Sequence, residues 1–276
     1  MQIRFATSLK EYPKLTTEEL RQSFLIDELF APDVVRAVYW ETDRAVIGSA
    51  VPLTKPLKLE TFPELASETF CERREVGVLN LGGAGRVEVD GAAHVLDRLA
   101  ALYLSRGSRD VVFTSENPAD PARFYFVSYP AHAVFPITLV PRTQAREVRL
   151  GSRADANERT IYQCIHEEGA RSCQLVMGFT KLDVGSVWNT LPPHTHLRRS
   201  EVYLYFDLPE DAAVFHLMGS KDETRHLVLR SGQAVLSPAW SIHSGCGTQA
   251  YSFVWAMGGE NQRFTDMDGI AVRDLK

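Results

Sequence analysis

Apolar and polar residues alternate with a period of two through most of this chain, and one stretch near the start carries a helical period instead. Thr16-Thr-Glu-Glu19 has the form of a capping box, and Leu20, Phe24, Leu25 and Leu29 follow at helical spacing until Pro32, which predicts a helix near 17–30. Its apolar face needs cover from a sheet or a neighbouring subunit. Val34 to Trp40 reads as a strand. From about residue 64 short β-type runs (Val76 to Leu81, Arg86 to Val89, Ala101 to Leu104, Val111 to Thr114, Phe124 to Ser128) alternate with turn pairs such as Gly82-Gly83 and Asp90-Gly91. Positions 142–156 are polar and lack alternation, so they read as a crossing linker. Strands resume at about 159–165 and 173–182 and continue to 257.

This punctuation predicts a mainly β chain in three parts: a preamble with one helix and one strand over 1–60, a first β-rich half over 61–145 and a second over 155–276. At 276 residues, 45% of them hydrophobic and 24% charged, the chain can bury a sizeable core. A net charge of −5 offers no basic footprint for nucleic acid, so an anionic substrate must be met by locally placed cations. No stretch approaches the ~18 apolar residues of a membrane span. Met1 to Lys10 lacks an apolar signal core, and a cytoplasmic home is expected. Cys71, Cys164, Cys173 and Cys246 show no CxxC spacing and read as free, buried thiols.

Candidate chemistry concentrates in His194-Thr-His196-Leu-Arg-Arg-Ser-Glu201 and in the later run Gly232 to His243. On a strand, residues two apart share a face, so His194 and His196 can aim ring nitrogens at one point. Glu201 has the wrong parity for the same flat strand, so a bend near Leu197-Arg198-Arg199 must re-aim it. His243 must arrive from a different strand. Four such side chains buried without a common partner would cost about 1–3 kcal/mol each, which makes a shared metal ion the cheaper reading. Three His and one Glu suit zinc, manganese or iron alike, and spacing does not choose among them. His94 and His132, in the first half, are solitary and read as ordinary polar residues.

Gly185, His194-Thr-His196 and Glu201, then Gly232, Pro238 and His243, resemble the two halves of the cupin signature, with Trp240 standing where a glycine is usual. The resemblance implies tandem cupin-like barrels or sandwiches of jelly-roll type, of which only the second carries the ligand set. Longer runs narrow it: Gly185 to His196, Arg198 to Tyr203, Glu223-Thr-Arg-His226, Ser237 to Ser244 and Met257 to Gln262 are similar to the 5-keto-4-deoxyuronate isomerase family. So are Asp43-Arg44, Glu72-Arg-Arg-Glu-Val-Gly77 and Asn157 to Tyr162, so the likeness covers nearly the whole chain. It implies zinc at His194, His196, Glu201 and His243, one ion per subunit, and a homohexamer.

The implied reaction is an aldose-to-ketose shift of 5-dehydro-4-deoxy-D-glucuronate, from polyuronide breakdown, to 3-deoxy-D-glycero-2,5-hexodiulosonate. It needs a base at C2 and a clamp for the substrate carboxylate. Tyr203, which shares the parity of Glu201, and Glu223 and Arg225, from the Glu-Thr-Arg-His run, are the candidate catalytic residues. A carboxylate favours a planar fork, so Arg198, Arg199, Arg225 and Arg159 are candidate clamps. Glu260 begins an unusually polar strand end and is a further candidate for site lining. Two other classes stay open: an iron-dependent cupin oxygenase, which would use the same four ligands, and a non-catalytic sugar-binding or regulatory cupin.

Overall fold

The computed structural model describes all residues, Met1–Lys276. Thr16 Oγ1 accepts from the Glu19 amide and Glu19 reaches back to the Thr16 amide, completing the capping box that starts the helix Thr17–Phe24. The helix is shorter than the apolar spacing suggests, because Leu25–Ile26 turns extended and pairs with Val235 and Ala234 of a sheet edge. Ladder hydrogen bonds and burial of both side chains replace the further turn of helix. The helix packs inward through Leu20 and Phe24, and the Trp240 ring lies 6.2 Å from Phe24 and 5.2 Å from Tyr12. Trp240, the departure from the cupin pattern, is thus an anchor for the N-terminal segment.

Two compact units divide the chain: Met1–Ile3, Glu28–Ala145 and Cys164–Met177 form one, and Arg4–Asp27, Arg146–Gln163 and Gly178–Lys276 the other. In the first, a seven-stranded sheet in the order Gln2–Arg4, Val35–Trp40, Ala45–Ala50, Phe124–Pro130, Arg74–Asn80, Ala101–Leu104, Thr138–Val140 faces a four-stranded sheet. Inward residues of both meet in one core, where Phe113 lies 5.1 Å from Phe124 and 6.4 Å from Phe126, ring centre to ring centre.

The second unit repeats the plan. Its seven-stranded sheet runs Arg146–Leu150, Arg159–Ile165, Val176–Leu182, Ser252–Gly259, Arg199–Phe206, Ala234–Ser237, Leu25–Ile26, and its four-stranded sheet runs Trp188–Asn189, Ile242–Gly247, Val214–Ser220, Glu223–Leu229. The protein is mainly β, and its sheets stay open rather than closing into barrels. Part of the expected linker is a strand: Arg146–Leu150 pairs residue for residue with Arg159–Gln163. It is a mostly exposed edge, so nothing in its sequence needs to alternate. All four cysteines are free. No helix is long and apolar enough to cross a membrane.

Candidate active site

The site is built wholly from the second unit. His194 sits on the short strand His194–Thr195, paired with Asp268–Gly269, just after a cis Leu191–Pro192 bond. The chain then turns at Leu197-Arg198, closed by the Arg199 amide donating to the His196 carbonyl at 3.0 Å. This is the bend that strand parity demanded, and it sets Glu201 on the Arg199–Phe206 strand facing the two histidines. His243 comes from the Ile242–Gly247 strand of the opposing sheet.

The four side chains converge. His196 Nε2 and His243 Nε2 lie 3.1 and 3.0 Å from Glu201 Oε2, His243 Nε2 lies 3.0 Å from His194 Nε2, and one ligand atom from each residue lies within 4.8 Å of all the others. His196, Glu201 and His243 are almost fully buried. His196 Nδ1 faces the Arg199 carbonyl at 3.0 Å, an acceptor, so Nδ1 carries a hydrogen and Nε2, 3.1 Å from the carboxylate, is the atom that ligates when the ring is neutral. Ligand-type nitrogens and a carboxylate oxygen at contact distance in a buried site can share a cation, either protons or a metal ion. Bond lengths of about 2.0–2.2 Å put neighbouring ligand atoms about 3.3–3.6 Å apart in a tetrahedron, close to the spacing found. The donor set therefore fits a divalent transition-metal ion.

Electrostatics agree with that reading at His194 and Glu201, while His196 competes for a proton. Burial, and then the neighbouring His243, pull the His194 imidazole down to about 3, so it stays neutral and able to ligate. For Glu201 burial opposes ionisation, but His243 and His196 outweigh it and hold the carboxyl well below its usual range. For His196 burial likewise opposes charge, and the hydrogen bond and charge of Glu201 outweigh it, raising its pKa.

A cavity of about 270 Å³ opens on this cluster, lined by His194, His196 and Glu201. Cross-strand neighbours form one wall: Met257 opposite Glu201, Trp255 opposite Tyr203 and Phe253 opposite Tyr205 line the space, as do Glu201 and Tyr203 but not Tyr205. The alternation of these three is visible in the sequence, but nothing there tells a cavity wall from a packed core. Glu201 is the only carboxylate on the wall, and its Oε1 accepts no hydrogen bond from the protein. Burial raises the Tyr203 phenol far above its usual range, and its hydroxyl lies 3.3 Å from Thr190 Oγ1.

Of the candidate arginines, Arg159 and Arg199 line the cavity. Arg199 is 1% exposed and its two Nη atoms donate to the carbonyls of Arg263 and Asp266 at 2.8 and 2.9 Å. It braces the segment carrying Phe264, whose ring packs 5.6 Å from Trp255. Arg159 keeps only one hydrogen bond, from Nη1 to the Asn157 carbonyl at 2.8 Å, so most of its donors remain available. Arg198 lies off the wall, paired with Asp266 at 2.7 Å and Asp268 at 2.8 Å. Glu223 and Arg225, expected among the catalytic residues, sit on the edge strand Glu223–Leu229 and take no part in the wall; Arg225 is spent on the Leu15 carbonyl at 3.1 Å. Glu260 is exposed at the end of its strand and is absent from the wall as well.

Next to Tyr203, with the Tyr205 and His216 rings 6.2 and 5.6 Å from its own, lies a buried polar cluster that no sequence motif singles out. His216 Nδ1 bonds the Tyr205 hydroxyl at 2.8 Å, and Asn189 Nδ2 donates to the Tyr251 hydroxyl at 2.6 Å. A lone His on a strand carries no signal of its own. His94 and His132 of the first unit join no metal-type cluster.

Paired open sheets with a three-His, one-Glu cluster, three members of which line a cavity, define a cupin-like protein with a metal-type site. The solved structures it resembles include an IolB-like protein from Salmonella typhimurium LT2, at 13% identity and a TM-score of 0.75, covering 90% of this chain and 96% of that one. Another is oxalate decarboxylase from Lactobacillus farciminis, at 10% identity and a TM-score of 0.58, covering 86% and 83%. These establish the fold alone. The chain belongs to the KduI/IolB family, whose model matches residues 28–271. It is 51% identical over 276 residues to a 4-deoxy-L-threo-5-hexosulose-uronate ketol-isomerase of Halalkalibacterium halodurans, and 53% identical over 279 residues to the one of Kineococcus radiotolerans, covering 100% of each chain in both cases.

Proposed function

We propose that this chain is a metal-dependent ketol-isomerase acting on 4-deoxy-L-threo-5-hexosulose uronate, also called 5-dehydro-4-deoxy-D-glucuronate, to give 3-deoxy-D-glycero-2,5-hexodiulosonate. The observation that carries this reading is the convergence of His194, His196, Glu201 and His243 on a cavity that also presents Arg159. Full-length relatives named for this reaction support it, and weigh against the oxygenase and sugar-binding readings. Zinc is the ion we infer, held by those four residues in the 155–276 half, because isomerisation needs no redox change. Such an ion supplies Lewis-acid stabilisation of charge developing on the substrate oxygens, worth several kcal/mol.

The chain's own residues supply the rest. Arg159 takes the substrate carboxylate in a charge-assisted fork. Glu201 Oε1 carries the proton from C2 to C1. Tyr203 keeps its hydrogen at any working pH and donates it toward a substrate oxygen. Phe253, Trp255 and Phe264 keep water from the reacting carbons. Arg199 acts at one remove, by bracing the segment that carries Phe264.

Purified protein mixed with freshly made lyase breakdown product tests this. The aldehyde signal should disappear and the 2,5-diketone appear, with no oxygen consumed. Absence of turnover after loading with zinc, manganese or iron refutes the activity. A homohexamer and a cytoplasmic location belong to the same proposal; light scattering and cell fractionation test them.

A further inference from the structure

The first unit holds a second cavity, of about 270 Å³, walled in part by Tyr39, Arg44, Glu64, Arg73, Arg74 and Pro130. Three guanidiniums face one carboxylate there, and Glu64 Oε1 already holds the Met1 ammonium at 3.0 Å. Arg74 is only 7% exposed and has no carboxylate partner. Its Nε donates to Ser128 Oγ and its Nη2 to the carbonyls of Ser128 and Arg44, all neutral acceptors, while Nη1 has no partner. Burial draws its pKa down to about 10, as expected of a buried cation without a counter-ion.

The neighbouring arginines are engaged less. Arg44 follows Asp43 in a turn where both have left-handed φ, 50° and 52°, which residues bearing a Cβ rarely adopt in succession. The Arg44 guanidinium is exposed and makes no hydrogen bond or ion pair. Arg73 uses only Nη2, on the carbonyls of Leu65 and Ala66. Glu75, next in the Glu72-Arg-Arg-Glu75 run, does not neutralise them. It accepts instead from the amides of Cys173, Gln174 and Leu175 and from the Tyr103 hydroxyl.

A buried guanidinium is ordinarily paired with an anion, and here three guanidiniums line one small space, Arg44 with all its donors free, Arg73 with Nε and Nη1 free and Arg74 with Nη1 free. We propose that this arginine pocket is a binding site for a small oxyanion, a carboxylate or a phosphate, gripped by Arg44 and Arg73 above the fixed charge of Arg74. The isomerase chemistry makes no use of these residues, so the site is separate in function from the catalytic cavity.

Calorimetric titration of the full chain with inorganic phosphate and, separately, with D-galacturonate tests this and distinguishes the two sources of the anion. At least one should bind saturably, and Arg44→Ala and Arg73→Ala should each weaken that binding at least tenfold while circular dichroism stays unchanged. Both side chains are exposed, so these variants carry the test even if Arg74→Gln fails to fold. Three results overturn the proposal: neither anion binds, binding survives both substitutions, or Arg159→Ala abolishes it instead.

Discussion

The His196 imidazole donates its Nδ1 hydrogen to the Arg199 carbonyl at 3.0 Å, while the Arg199 amide donates back to the His196 carbonyl at the same distance. One tight turn therefore does two jobs. It re-aims Glu201 at the histidines and fixes the tautomer that turns His196 Nε2 toward the site.

That relationship sets a proton against a metal ion. In the metal-free protein Glu201 raises the His196 pKa, so the imidazole holds its proton to higher pH than a free histidine. Ligation needs the neutral ring, so metal binding should expel this proton and weaken as pH falls. Titration of zinc into apo-protein in two buffers of different ionisation enthalpy measures the release; a release of zero contradicts the assignment.

Chelation should abolish turnover and leave the β fold in place. Each unit has its own apolar core, and the four ligands are a small part of the second. Circular dichroism and an isomerase assay on one chelated sample decide it. Loss of the β signal would make the ion structural.

Arg159 is expected to hold the substrate carboxylate. Arg159→Ala should cost about 1.5–3 kcal/mol, or roughly ten- to a hundredfold in kcat/KM, and Arg159→Lys should recover only part because a point charge lacks the fork. Arg225→Ala, which frees only the Leu15 carbonyl, should change kcat/KM less than about twofold. Equal effects at Arg159 and Arg225 would sink the assignment.

If Glu201 Oε1 moves the proton, it can exchange with solvent during turnover. Reaction in D2O should place deuterium at C1 of the product, read by mass spectrometry or proton NMR. A product with no deuterium at C1 points to direct hydride transfer instead.

Acid should destabilise the protein through His216. Burial, and then His243, lower its pKa to about 3, against about 6.5 in the unfolded chain, so the unfolded state binds the extra proton between these values. The stability this group contributes is complete above about pH 6.5 and falls with pH by about 1.4 kcal/mol per unit until about pH 3. Denaturant midpoints of wild type and His216→Gln between pH 7 and 5 test this: the variant should show the shallower loss, and parallel curves would contradict it.

Much of this protein was legible in its sequence. Local rules placed the capping box at Thr16 and Glu19 and the strand Arg159–Ile165. The parity of His194, His196 and Glu201 required a bend at Leu197-Arg198, and the bend is there. These features depend on near neighbours, whose spacing the chain itself sets.

Other features were decided only by tertiary structure. The helix stops at Phe24 because Leu25 finds Val235 across a sheet edge, a pairing more than two hundred positions away that no local period encodes. Arg146–Leu150 is a strand because Arg159–Gln163 offers a ladder, although its exposed side chains carry no pattern. The arginines made the point most plainly. Arg159, Arg198, Arg199 and Arg225 are alike as residue types, yet one faces the cavity with donors to spare, one pairs with Asp266 and Asp268, one braces two carbonyls and one caps Leu15. A long side chain's role depends on which acceptors the fold brings within reach, and those acceptors come from distant parts of the chain.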